Sequence, residues 1–93
     1  MLLEQYINIR IKKYQKELDK VLEELDGNII QIGSRINAAA SKAEKDIDHA
    51  IWGTSESELP VEDQQIMVLQ YQQLISSMRM DAVDILLAKN GGK

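Results

Sequence analysis

One apolar stripe at helical spacing constrains this chain more than any other feature. It runs through Ile7, Ile11, Tyr14, Leu18, Val21, Leu25, Ile29, Ile32, Ile36, Ala39, Ala43, Ile47 and Ala50, in steps of three or four residues. Such a stripe is the mark of an amphipathic helix that needs a surface to pack against. A second stripe follows through Met67, Tyr71, Leu74, Met78, Ala82 and Ile85, flanked by Val68, Ile75 and Leu86. This second face is wider than a coiled-coil seam and should meet more than one neighbour. β-branched residues occur singly within the helical period, and no alternating run persists. The pattern predicts an all-α fold.

Three landmarks divide the chain. Asp26-Gly27-Asn28 contains residues that readily end a helix, yet Leu25, Ile29 and Ile32 keep the stripe in phase across it. A glycine inside a long packed helix costs only about 1 kcal/mol. The favoured arrangement is therefore an antiparallel hairpin, with a long first helix over about 2–51 and a second over about 61–89. The alternative is a three-helix bundle with a turn at 26–28, which the similar lengths of 2–25, 29–51 and 61–89 support. The segment Trp52 to Pro60 reads as a loop at 53–60, with Gly53 closing one helix and Pro60 opening the next. Glu62 and Asp63 then sit where the helix dipole favours anions. Asn90-Gly91-Gly92-Lys93 reads as a frayed tail.

In the hairpin, roughly the first 20 residues would extend past the shorter helix, since a helix rises about 1.5 Å per residue. Ile7, Ile11, Tyr14 and Leu18 would then form an exposed surface for association with a partner or an identical copy. Trp52, Met67, Tyr71 and Met78 are further candidates for partner binding, because aromatic and methionine side chains are frequent at such surfaces. The small residues Gly33, Ala38, Ala39, Ala40 and Ser41 should let another helix approach closely.

Ninety-three residues allow a single domain, and the absence of cysteine excludes disulfides and thiolate metal sites. The net charge of −4 is unevenly placed. Arg10, Lys12, Lys13, Lys16 and Lys20 make the early part basic, whereas Glu44, Asp46, Asp48, Glu56, Glu58, Glu62 and Asp63 make the middle acidic. The basic cluster is interleaved with Glu17 and Asp19, so nucleic acid is not an expected partner. No run is long and apolar enough for a membrane span, and no secretory signal is evident. The expectation is a cytoplasmic protein, or one exported without a cleaved signal.

Catalytic constellations are lacking. His49 with Asp46 gives one carboxylate–histidine pair, but helical metal sites need several. The carboxylates at 44, 46 and 48 are interleaved with Lys42 and Lys45. The serines have no base beyond a single histidine, and no phosphate-binding or calcium-binding loop is present. Neither an enzyme nor a cofactor is expected.

Two stretches resemble the needle and inner-rod proteins of type III secretion systems, which are small helical hairpins. Lys45-Asp46-Ile47-Asp48-His49-Ala50-Ile51, preceded by Asn37-Ala38, resembles the ending of needle subunits, and Pro60 with Leu69-Gln70 resembles the entry to their second helix. Asp81-Ala82-Val83-Asp84-Ile85-Leu86-Leu87 resembles the end of inner-rod proteins. The resemblance implies a small component of a bacterial secretion system, or one of its helical chaperones. The leading reading is thus a non-enzymatic helical assembly protein. The alternative is a compact three-helix inhibitor, immunity protein or adaptor that binds one partner through an acidic face at 44–63.

Overall fold

The structure, a computed structural model, describes residues 2–91. It contains three α-helices and no strand among those residues: α1 (Leu3–Glu24), α2 (Ile29–Trp52) and α3 (Val61–Gly91). The all-α class stands, and the arrangement is the three-helix bundle rather than the hairpin with one long first helix. A continuous helix over 2–51 would measure about 75 Å at 1.5 Å per residue, whereas the whole molecule is 55 Å long. It is nonetheless elongated, with a radius of gyration of 15.3 Å against roughly 12 Å for a compact chain of this size.

The turn between α1 and α2 explains why the phase of the stripe misleads. Leu25 adopts the left-handed conformation (φ 48°) and its N–H donates to Val21 O at 3.1 Å. Gly27 follows at φ 96°, where a Cβ would collide with the Gln31 side chain. Asn28 then caps α2: its side chain accepts from Gln31 N–H at 2.9 Å, and Gln31 Oε1 accepts from Asn28 N–H at 3.0 Å. This is a reciprocal capping box. The four residues 25–28 span close to one helical period of 3.6, so the apolar positions stay in register although the chain reverses.

At the other end, α2 stops at Trp52, and the loop occupies 53–60 as expected. Thr54 Oγ1 donates to Ala50 O at 3.1 Å, and Leu59 N–H donates to Ser55 O at 2.9 Å. Gln64, in the first turn of α3 and only 3% exposed, holds this loop to the bundle. Its Nε2 donates to Thr54 O and Leu59 O, both at 2.9 Å. Helix α3 runs on through Asn90 and Gly91, so the tail expected at 90–93 begins later; Gly92 and Lys93 lie outside the described residues.

One core joins the three helices. Helix α1 contributes Ile7, Tyr14, Leu18, Val21 and Leu22; α2 contributes Ile32, Ile36, Ala40, Ala43, Ile47 and Ile51; α3 contributes Val68, Ile75, Ala82 and Leu86. On α3 the buried row is the one read as flanking, while Met67, Tyr71 and Met78 are half-buried and Leu74 and Ile85 are exposed. Helix α2 packs closely against both neighbours, and α1 and α3 approach each other least.

Candidate interaction surface

The eight residues expected to bind a partner divide by burial. Ile7, Tyr14 and Leu18 are at most 1% exposed, and Ile11 is half-buried against the same core. The expected exposed stripe at the start of the chain is thus corrected: the fold-back at 25–28 gives it α2 and α3 as partners within the molecule. Met67, Tyr71 and Met78 lie half-buried along α3, and Trp52, at the end of α2, is 47% exposed. The small-residue patch is also dispersed. Ala40 is buried against α3, Ala39 is half-buried beside α1 and Ala38 is exposed, while a Cβ at Gly33 would touch nothing within 4 Å.

Polar contacts fasten α1 in place. The Arg10 guanidinium is 5% exposed between α1 and α2; Nε donates to Asp46 Oδ2 at 2.8 Å and Nη1 to Glu17 Oε1 at 3.4 Å. Asp46 is therefore committed to Arg10 and is not paired with His49. Arg35 Nη2 meets Glu24 Oε2 at 3.2 Å near the turn. Tyr14 Oη donates to Ile75 O at 3.1 Å, and burial pushes its hydroxyl pKa upward, an effect opposed by Arg79 and reinforced by Glu17. Lys89 Nζ donates to Leu22 O at 3.2 Å. Two buried polar atoms, Arg10 Nη2 and Asp48 Oδ1, have no hydrogen-bond partner among the described residues.

The surface of α3 differs in kind from those of the other helices. From Gln64 to Met78 it carries no charged residue, in a chain that is 28% charged. Ile66, Leu69, Leu74, Met80, Ile85 and Leu87 are exposed on it. The outer surface of α1 carries Lys12, Lys13, Lys16, Asp19, Lys20 and Glu23 instead. A helix apolar around most of its circumference is normally covered on more than one side. The charge-free run was the signal in the sequence for this surface, and a search for apolar period alone passes over it.

Among the described residues, no three His, Cys, Asp or Glu side chains converge to hold a metal, and no helix is long and apolar enough to cross a membrane. The acidic segment does not form one face. Asp46 is paired with Arg10, and Glu44 and Asp48 are half-buried, which leaves Glu56, Glu58, Glu62 and Asp63 exposed at the loop end. No family model, curated protein or solved structure matches this chain.

Proposed function

We propose that this is a non-enzymatic helical interaction protein that binds helical surfaces, of partner proteins or of identical copies, along α3. The observation that supports this is the charge-free run 64–78 with Ile66, Leu69, Leu74, Met80, Ile85 and Leu87 exposed around it. Exposed apolar groups contiguous along one helix are typical of association surfaces rather than of free ones. A bacterial secretion setting, as assembly component or chaperone, is supported by the short resemblances to needle and inner-rod proteins. The test is sedimentation of the purified chain over a wide concentration range, together with titration by synthetic amphipathic helices. Self-association or saturable peptide binding, in either case weakened by lysine substitutions on exposed α3 positions, is expected. A chain that stays monomeric and binds no helical peptide overturns the reading.

A second reading has its own observation. The exposed carboxylates Glu56, Glu58, Glu62 and Asp63 gather at one end of a compact bundle, which suits an inhibitor, immunity protein or adaptor for a basic partner. Salt separates the two. Binding through that end should weaken steeply as ionic strength rises, whereas apolar docking on α3 should persist.

A further inference from the structure

The three seams of the bundle are unequal. α1 is zipped to α2 by Arg10–Asp46 and Arg35–Glu24, and α2 packs closely on α3. Between α1 and α3 a groove remains, with Leu18 and Leu22 on one wall and Met78, Ala82 and Ile85 on the other. Ile85 is 46% exposed there, and Met78 is half-buried. The rims are Gln15 and Asp19 on α1 and Asp81 on α3. Gln15 Nε2 already donates to Asp19 Oδ1 at 2.9 Å, so the amide leaves that rim acidic. The one nearby cation is Lys89, and its Nζ is bound to Leu22 O at the groove's end. By contrast, the depression between α1 and α2 is rimmed by Lys20, Arg35 and Lys42 facing Glu17.

We propose that this groove receives one amphipathic helix of a partner protein, its apolar stripe on the floor and lysine or arginine side chains along its flanks. The proposal rests on the reading of α3 as a helix-binding surface and names the partner's chemistry. Three observations carry it. The acidic rims select a basic flank. Methionine and leucine walls accommodate a stripe of varied shape. The direction of the helices also leaves a place for a fourth. Tyr14 meets Ile75 and Leu22 meets Lys89, so α1 and α3 run parallel. A partner helix antiparallel to both would complete an up-down-up-down four-helix bundle and oppose their aligned dipoles. A second copy fits poorly. Its exposed apolar helix is α3, whose flanks carry Glu62, Asp63, Asp81 and Asp84, which would set carboxylate against carboxylate.

The test uses two synthetic amphipathic helices with the same leucine stripe, one flanked by lysine and one by glutamate, titrated into the full chain and followed by backbone amide NMR. The lysine-flanked helix should bind at least tenfold tighter, with shifts concentrated at 15–22 and 78–85. The double variant Asp19→Lys with Asp81→Lys, both on exposed positions, should reverse that preference while keeping the helical circular dichroism. Shifts concentrated instead at Ile66, Leu69 and Met80 would overturn the groove while leaving helix binding by α3 in place. Equal affinity for the two peptides would overturn the charge selection and with it the proposal. Absence of any binding would remove both the groove and the broader reading.

Discussion

Helices α1 and α3 are both amphipathic by period, yet they solve the problem of burial differently. Helix α1 puts its apolar residues on one face, buries that face completely, and covers the rest with lysine and glutamate. Helix α3 buries a narrow row through Val68, Ile75, Ala82 and Leu86 and leaves six further large apolar side chains in contact with water. The difference teaches that the two helices have different obligations. The apolar residues of α1 are spent on folding. Those of α3 exceed what folding in this bundle uses, and the surplus is available for another molecule.

The sharpest way to break this comparison is to place a charge on each helix. Leu18→Asp puts an unpaired carboxylate into the core and should unfold the chain, seen as loss of the cooperative transition in urea. Leu69→Asp on the outer face of α3 should move the same transition by no more than about 0.5 kcal/mol. If the two variants were equally destabilised, the outer face of α3 would be part of the fold rather than a free surface.

Next in size is the fastening of α1. Arg10→Ala leaves Asp46 without its buried partner and removes packing between α1 and α2. A loss of about 3 kcal/mol in urea denaturation is expected. Arg10→Met, which keeps the apolar stem and removes the charge, should cost much less when paired with Asp46→Leu. An unchanged midpoint in Arg10→Ala would show that α1 is held by its apolar face alone.

A smaller effect tests the contact between the two compared helices directly. Tyr14→Phe removes the hydrogen bond to Ile75 O and should cost about 1 kcal/mol near neutral pH. The pH dependence has a definite sign. Burial raises the folded-state pKa of the Tyr14 hydroxyl above its ordinary value, so above about pH 10 the unfolded chain loses this proton before the native one does. Stability should therefore fall as pH climbs past that point, and Tyr14→Phe should show a shallower fall in alkaline urea titrations. Parallel slopes would place the alkaline loss elsewhere.

The smallest expected change is a gain. Gly33 sits within α2 at a place where a Cβ meets nothing within 4 Å. Gly33→Ala should raise stability by about 0.5–1 kcal/mol in thermal or urea unfolding. A loss instead would mean that α3 or α1 comes closer to this position in solution.

Much of the fold was legible in residue order. The period of the apolar positions predicts helices, Pro60 with Glu62 and Asp63 marks the start of α3, and Gly53 marks the loop. The turn at 25–28 was legible only in part. Asp26-Gly27-Asn28 was visible as a helix-ending signal, but the phase of the stripe argued against it, because a four-residue turn nearly equals one helical period. Asn28 followed by Gln31 was the sign that decided for the turn, since those residues cap a new helix reciprocally. The interaction surface was less legible. Met67, Tyr71 and Met78 were picked from the right helix, but Ile7, Tyr14 and Leu18 were assigned to a partner that turned out to be the chain's own α2 and α3.

The sequence by itself determined that the protein is all-α, where its last helix begins, and how much apolar surface its helices carry, because these follow from local spacing and backbone chemistry. Only the tertiary structure decided which of that surface is already covered. An apolar stripe records the need for a partner but not the identity of that partner. The left-handed backbone at Leu25 and Gly27 turns α1 back onto the bundle, so its stripe is satisfied within the chain, and the unsatisfied surface is transferred to α3.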